Sequence, residues 1–241
     1  NVVETSDEGF LIGGYYAGNI TAGEYTLNSK GSYDGFVIKY NSDHEVEWAK
    51  SIGGTGDDRV ESVIEKSNGK IVVGGYFYNG NLIVDEETIN NNGSDDGILI
   101  GLDSTGVFEW YKNFGNSTED RITSICSTLD NGYMVGGYFS SGSLTIGEET
   151  INNNGSYDSF IIKFNQEDDI KWIKNIGESG SDKIESISET IDGGFVIGGS
   201  LGKDITINDC ILSGSNIIMK FNQNVETEWI DVIEGDTHSL S

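Results

Sequence analysis

The feature that most constrains this chain is a motif that is written four times. Two glycines followed by an aromatic pair occur at residues 13–16, 74–77 and 136–139, and two glycines followed by Ser-Leu occur at 198–201, so the copies lie roughly 62 residues apart. One tryptophan per unit keeps nearly the same spacing: Trp48, Trp110, Trp172 and Trp229. Self-similarity at a fixed period decides the architecture before any local pattern does, so we treat the chain as one repeated unit.

Each unit has the pattern of two β-hairpins. In the second unit, apolar runs at 59–65, 70–77, 96–102 and 108–114 predict strands, and the turns KSNG and DSTG join them in pairs. No segment has a convincing helical period. The hairpins are linked by longer segments such as GNLIVDEETINNNGSDD and GSLTIGEETINNNGSYD, for which we predict a small extra turn or ribbon.

The predicted fold is all-β: a β-propeller of four blades, each a four-stranded antiparallel sheet of about 60 residues, because a lone sheet leaves too much apolar face exposed. We predict a single domain over 1–241, with blades at about 1–54, 55–116, 117–178 and 179–235. The tail 236–241 aligns in phase with the N-terminus and is predicted to complete the first strand of the first blade. Closure of the ring is favoured because it removes sheet edges, and the alternative is a fragment of a larger propeller.

The stretch from Trp48 to Phe77, WAKSIGGTGDDRVESVIEKSNGKIVVGGYF, resembles the bacterial SBBP beta-propeller repeat. Its pattern is a tryptophan, a Gly-Gly turn, Gly, Asp, an apolar strand, and a Gly turn into a strand that ends in Gly and an aromatic residue. The resemblance covers all four units. It implies a β-propeller in a secreted or surface-displayed protein and is nearly silent on biochemistry. The family name refers to seven blades, whereas four are written here.

Charge limits the partners. The formal net charge is −26 and the isoelectric point is near 4.1, which disfavours nucleic acid and anionic membranes and favours basic partners or divalent cations. The alternative is that the charge only keeps an apolar sheet protein soluble. Spacing leaves a disulfide between Cys126 and Cys210 open, and two unpaired thiols are favoured.

Aromatic residues are the first candidates for contact with a ligand. The four tryptophans are predicted to pack between blades, and the alternative is a ring that stacks on sugars. Six tyrosines at strand ends and in the links are the better candidates for exposed rings. These are Tyr15, Tyr16, Tyr33, Tyr76, Tyr138 and Tyr157.

Aspartates repeat in two sets. Asp58, Asp120 and Asp182 stand at the start of the first strand, where the fourth copy is His238 or, with a gap, Asp236. Asp34, Asp96 and Asp158 precede the third strand. Such carboxylates commonly accept backbone N–H bonds and fix a loop, which we favour. The alternative for Asp34, Asp96 and Asp158 is calcium binding, because that ion prefers hard oxygen ligands.

Catalytic signals are sparse. The histidines are His44, in a turn, and His238, and no nucleophile, zinc or nucleotide motif is present. We therefore predict no enzyme, no cofactor other than calcium if its sites are real, and a binding or display module of an extracellular or surface protein. Its partner would be a protein or a glycan, contacted through the INNNGS segments and adjoining tyrosines. The alternatives are a structural spacer and an extracellular polysaccharide-degrading enzyme. The sequence leaves the oligomeric state open.

Overall fold

The structure, a computed structural model, describes residues 1–116, 118–140, 142–147, 149–177, 179–202, 205–207, 210–212 and 216–233. The described residues form strands and turns without a helix. None of them therefore belongs to a helix long and apolar enough to cross a bilayer. The predicted closing segment 236–241, with Asp236 and His238, lies outside the described residues.

Four antiparallel four-stranded sheets form the four blades of a β-propeller. Blade one consists of β1 (Val2–Glu4), β2 (Phe10–Tyr16), β5 (Asp34–Tyr40) and β6 (Val46–Ile52). Blade two consists of β7 (Asp57–Glu65), β8 (Ile71–Tyr78), β11 (Asp95–Leu102) and β12 (Phe108–Asn113). Blade three consists of β13 (Asp120–Ser127), β14 (Tyr133–Ser140), β17 (Tyr157–Phe164) and β18 (Ile170–Ile176). Blade four consists of β19 (Lys183–Glu189), β20 (Phe195–Ser200), β23 (Asn216–Phe221) and β24 (Thr227–Ile233). The sheet order follows the chain order in every blade, so the predicted fold class is confirmed.

The link between the two hairpins of each blade is a two-stranded ribbon, as predicted. The ribbon strands are β3 (Asn19–Ala22), β4 (Tyr25–Asn28), β9 (Leu82–Val84), β10 (Glu87–Ile89), β15 (Ser143–Ile146), β16 (Glu149–Asn152), β21 (Ile205–Ile207) and β22 (Cys210–Leu212). Leu82 and Val84 of the second ribbon are fully buried, so this ribbon packs into the core and is not a flexible linker.

Successive blades pack face to face. The second strand of each blade lies against the first strand of the next blade, as β2 does on β7, β8 on β13 and β14 on β19. Three apolar clusters fill the three junctions, and each cluster takes buried residues from both blades. No strand of the fourth blade packs extensively on a strand of the first blade in the described part of the chain. Closure of the ring therefore stays a prediction.

The repeated glycine pair has a structural cause. A Cβ atom on Gly74 would lie 2.6 Å from Cδ1 of Ile125 in the next blade, so the first glycine lets the two sheets approach closely. A Cβ atom on Gly75 would lie 1.9 Å from the carbonyl oxygen of Arg59, beside a bulge between Val60 and Ser62. The glycine pair therefore allows close approach of the next blade and lies beside a bulge in the first strand.

The tryptophans of the first three blades pack between blades, as expected. Trp48 lies against the turn of the second blade at Gly106 and donates from Nε1 to the carbonyl oxygen of Ser104 at 3.3 Å. Trp110 and Trp172 pack against the second and third junction clusters. Cys126 is a free, half-buried thiol whose pKa burial raises to about 11, and the side chain of Cys210 lies outside the described residues.

Candidate functional site

The six candidate tyrosines lie at one end of the blades, where second strands end and third strands begin. The expectation that all six rings are exposed is wrong for Tyr16, Tyr76 and Tyr138, which are 6%, 6% and 5% exposed. The structure packs their rings inside the blades and at the junctions, so an external ligand cannot reach them freely. Tyr15 and Tyr33 are 45% and 38% exposed. Tyr157 is half-buried.

Cations that sequence reasoning missed bring these tyrosines together. The guanidinium carbon of Arg59 lies 4.3 Å from the ring centroid of Tyr15 and 5.4 Å from that of Tyr33. Arg59 is the residue after Asp58, and Arg121 and Lys183 stand at the same place in the next two blades. This repeated cation was visible in the sequence, and its position in the first strand was the signal that could have found it.

The other two cations continue the pattern. The guanidinium carbon of Arg121 lies 4.0 Å from the ring centroid of Tyr76. The ammonium of Lys183 lies 3.8 Å from the centroid of Tyr157 and 4.2 Å from that of Tyr138. Such contacts between a cation and an aromatic face are favourable. We call Tyr15, Tyr33, Arg59, Tyr76, Arg121, Tyr138, Tyr157 and Lys183 the tyrosine–cation row.

Carboxylates balance the two arginines of the row. Asp57 accepts a hydrogen bond of 2.9 Å from Nε of Arg59, and this bond raises the pKa of the arginine. Asp95 and Glu119 both pair with Arg121. The Glu119 carboxylate also accepts a 2.7 Å bond from the hydroxyl of Tyr157. The two arginines are therefore fixed by carboxylates and directed at ring faces.

The most accessible part of the row lies at the junction of the first two blades. The rings of Tyr15 and Tyr33 meet edge to face, with centroids 5.7 Å apart. Arg59 lies over both rings, and a parallel bridge joins Tyr33 to Asp57. The result is an exposed aromatic pair with hydroxyls at its rim, held by a rigid sheet. This geometry suits contact with a sugar ring or with a protein side chain.

The aspartates predicted as candidate calcium ligands accept backbone amides of neighbouring loops. Asp34, Asp96 and Asp158 are fully buried. Asp34 accepts bonds of 3.1 Å from the amides of Lys30 and Gly31, and Asp158 accepts one of 3.0 Å from the amide of Asn154. The favoured loop-fixing role is thus seen directly for these residues.

In each of the first two blade junctions, a second aspartate lies close to one of these loops. Asp58 and Asp120 accept backbone N–H bonds from Gly54 and Asn116, at 2.6 and 2.8 Å. Burial, reinforced by the charges of Asp34 and Asp96 respectively, raises the pKa of Asp58 and of Asp120 to about 7. Among the described residues, no group of three or more His, Cys, Asp or Glu side chains is placed to hold a metal ion.

The INNNGS segments are ordered by their own side chains. Nδ2 of Asn91 donates to the carbonyl oxygens of Phe77 and Ser94, at 3.3 and 3.0 Å. Nδ2 of Asn153 donates in the same way to Phe139 at 3.0 Å. These loops form the stems of the second and third ribbons and lie next to the tyrosine–cation row.

An open cleft of about 480 Å³ lies beside the third ribbon. Side chains of the third ribbon and of β18, the outer strand of the third blade, line it. The lining residues are Ile146, Glu149, Ile170, Lys171, Trp172 and Ile173. The cleft is the second place where a ligand could meet an aromatic side chain, since Trp172 is half-buried.

His44 lies in a hairpin turn of the first blade. It is exposed in the turn between β5 and β6, with a φ of 63°, and its nearest aromatic neighbour is Phe10 at 6.3 Å. It is not hydrogen-bonded to a carboxylate or a hydroxyl in the described structure.

Comparison with known proteins supports the fold class. A family described as "Domain of unknown function (DUF5122) beta-propeller" matches residues 66–84, which form the second strand of the second blade and the start of its ribbon. The fold and this match define a β-propeller domain whose function is unknown. A crystal structure of a protein of unknown function from Bacteroides caccae is similar to this chain, with 11% sequence identity. The matched region covers 92% of this chain and 94% of the chain in that structure. Its TM-score is 0.27, so this likeness carries no argument. No curated protein matches the chain.

Proposed function

We propose that this β-propeller is a non-catalytic binding or display module of a secreted or cell-surface bacterial protein, and that it contacts a protein or a glycan. The observation that carries the proposal is the exposed pair of Tyr15 and Tyr33 on the guanidinium of Arg59. Tyrosine supplies a large contact area at low cost in conformational entropy, and recognition residues commonly lie on loops held by a rigid scaffold.

We further propose that the repeat is of the SBBP type. The SBBP resemblance rests on the Trp, Gly-Gly, Gly-Asp and Gly-aromatic positions of the four units. Membership of that class of repeat supports an extracellular location, and the excess of acidic side chains is compatible with display on a surface.

The proposed contact does not require calcium. Asp34, Asp96 and Asp158 already accept backbone amides, and the ring faces of Tyr15 and Tyr33 need no ion to bind a sugar or an apolar side chain. A calcium requirement would instead point to the aspartate loops, where Oδ1 of Asp58, Asp96 and Asp158 has no hydrogen-bond partner among the described residues.

The test is binding of the purified chain to a broad glycan array and to a panel of immobilised extracellular proteins, each with calcium and with EDTA. We expect binding that is unchanged by EDTA and that falls at least tenfold in the variant Tyr15→Ala/Tyr33→Ala. The matched control is Tyr111→Ala, which removes a similarly exposed tyrosine from the outer strand of the second blade.

Each other result contradicts a stated part of the proposal. Binding that EDTA abolishes would move the site to the aspartate loops. An equal loss of binding in Tyr111→Ala would show that binding does not depend on the tyrosine–cation row. Absence of binding on both arrays would favour the structural spacer, and turnover of a polysaccharide that a single carboxylate substitution abolishes would establish an enzyme.

A further inference from the structure

The turn of each ribbon lies beside the outer strand of its own blade, and the first three blades differ at this place. Gly23, Asp85 and Gly147 stand in the turns of the first, second and third ribbons, each with a positive φ. Asp85 ties its ribbon to the sheet, because its carboxylate accepts the amide of Phe108 at 3.1 Å and pairs with Lys50. The two glycines have no side chain for such a bond, so a different contact sets how closely their ribbons lie.

In the first blade a tyrosine makes that contact. The hydroxyl of Tyr25, in the first ribbon, donates a 2.6 Å hydrogen bond to the carbonyl oxygen of Glu47 in the outer strand β6. Tyr25 is 37% exposed, so most of its surface is covered. A Cβ atom on Gly23 would lie 3.1 Å from Cβ of Val46, which shows that the ribbon turn touches the strand. The first blade therefore fills this place with its own phenol ring.

The third blade has a glutamate in the place of this tyrosine. Glu149 pairs across its ribbon with Ile146, in the register that Tyr25 has in the first ribbon. A Cβ atom on Gly147 would lie 3.7 Å from Cδ1 of Ile170, a wider separation than in the first blade. The space between the third ribbon and its outer strand is the open cleft of about 480 Å³.

The cleft keeps the groups that hold the phenol in the first blade. Lys171 lines the cleft and is the residue before Trp172. Glu47 is likewise the residue before Trp48, so the backbone carbonyl of Lys171 has the position of the carbonyl that accepts the hydroxyl in the first blade. Trp172 is half-buried and offers aromatic surface to a ring in the cleft. The cleft thus provides an aromatic wall and a hydrogen-bond acceptor for a phenol.

Carboxylates next to the cleft define the charge of its ligand. Glu149 is exposed in the ribbon, and Glu167 and Asp169 are exposed in the turn that leads into β18. Lys171 is the cation among the lining residues. The excess of negative charge attracts a segment with basic residues and repels an acidic one.

We propose that the cleft of the third blade binds a tyrosine side chain of a partner polypeptide, in a segment whose neighbouring residues are basic. The partner's ring takes the place that Tyr25 fills in the first blade, and its hydroxyl donates to the carbonyl oxygen of Lys171. This site is separate from the exposed pair of Tyr15 and Tyr33, because that pair belongs to the first blade. Binding at the cleft therefore does not depend on the contact proposed for the tyrosine–cation row.

A proton–nitrogen correlation spectrum of the indole groups tests this site in the whole chain, because each of the four tryptophans gives one Nε1–H signal. The probe is the peptide acetyl-Lys-Tyr-Lys-amide, and the variant Trp172→Phe assigns the signal of Trp172. We expect this signal to shift in a saturable way as the peptide is added. Acetyl-Lys-Phe-Lys-amide should bind about fivefold more weakly, since it lacks one hydrogen bond, and acetyl-Glu-Tyr-Glu-amide should also bind more weakly.

The variant Glu149→Tyr supplies the ring from the protein's own ribbon. It should abolish the shift of the Trp172 signal without lowering the Tm, because the position is exposed. The matched control Glu87→Tyr makes the same exchange in the second ribbon and should leave peptide binding unchanged. A Trp172 signal that does not move, that moves equally with the phenylalanine peptide, or that still moves in Glu149→Tyr would overturn the proposal. A shift with methyl β-glucoside but not with the tyrosine peptide would assign the cleft to a sugar and would equally overturn it.

Discussion

Aspartates at the two ends of the blades carry the same chemistry in opposite environments. We call Asp7, Asp130 and Asp192 the turn aspartates, and Asp34, Asp58, Asp96, Asp120, Asp158 and Asp182 the junction aspartates. A turn aspartate pairs with a buried lysine of the third strand, whereas a junction aspartate is buried against backbone amides. The pKa of Asp7 is lowered to about 2, mainly by the hydrogen bond from Lys39, whereas burial raises the pKa of Asp58 to about 7.

The difference teaches that repetition of a residue does not repeat its charge state. The hydrogen bond from Lys39 lowers the pKa of Asp7, whereas the amide of Gly54 does not offset the loss of water around Asp58. The second blade supports this. It has Lys66 and Asn68 in the turn where its sisters have Thr and Asp, and Gly101 where they have the paired lysine. Both partners of the pair are replaced together.

The largest expected effect is the loss of a junction aspartate that accepts several bonds. Oδ2 of Asp158 accepts the amide of Asn154 and Nδ2 of both Asn154 and Asn175. Asp158→Ala leaves these partly buried hydrogen bonds without their acceptor and should lower the free energy of unfolding by about 2–4 kcal/mol. Urea denaturation measures this loss. Asp158→Asn, which keeps an acceptor oxygen, is the control and should lose less than half as much.

Loss of a turn aspartate should lower the free energy of unfolding by less than loss of a junction aspartate, because the carboxylate of a turn aspartate is exposed. Asp130→Ala removes the partner of the buried ammonium of Lys163, which then keeps the hydroxyl of Thr128. We expect a loss of about 1–2 kcal/mol in the free energy of unfolding. The double variant Asp130→Ala/Lys163→Met should recover part of it, since no unpaired charge remains. If Asp130→Ala costs more than Asp158→Ala, the ranking of the two ends is wrong.

Stability should depend on pH in opposite directions at the two ends. Because the folded pKa of Asp58 and of Asp120 is about 7, above the ordinary 3.8, the folded state holds protons that the unfolded chain has released. The free energy of unfolding therefore falls as pH rises from about 4 through about 7, by at most about 1.4 kcal/mol per pH unit for each group. The turn aspartates stabilise above their unfolded pKa, and that contribution is lost as pH falls toward about 2.

Urea titrations between pH 5 and pH 8.5 measure the junction contribution. In Asp58→Asn/Asp120→Asn the fall of stability across this range should be smaller than in the wild-type chain, because neither amide ionises. Asp7→Asn is the matched control, and it should leave the slope in this range unchanged. An unchanged slope in the double variant would show that both carboxylates stay ionised.

The sequence predicted the blades well because their signals are local and repeated. The glycine pairs, the tryptophans and the turns KSNG and DSTG each constrain a few neighbouring residues, and the sheets follow from them. The accessibility of the tyrosines was harder to predict. Tyr76 and Tyr138 are buried by Arg121 and Lys183 of the following blades, and that contact depends on how two sheets pack.

The smallest effect should come from a turn aspartate whose lysine has a second partner. The ammonium of Lys220 lies 3.1 Å from Asp192 and 3.1 Å from Glu228, whereas Lys163 has only Asp130 as its carboxylate partner in the described structure. Asp192→Ala should therefore lower the Tm by less than Asp130→Ala does, because Glu228 still neutralises the lysine. Thermal unfolding at pH 7 compares Asp130→Ala, Asp192→Ala and the double variant Asp192→Ala/Glu228→Gln. The difference between the last two gives the contribution of Glu228 once Asp192 is absent. If Asp192→Ala alone matches Asp130→Ala, the charge of Glu228 does not substitute for a turn aspartate, and the bond geometry of the turn, in which Asp192 also accepts the amide of Gly194, is what stabilises this end of the blade.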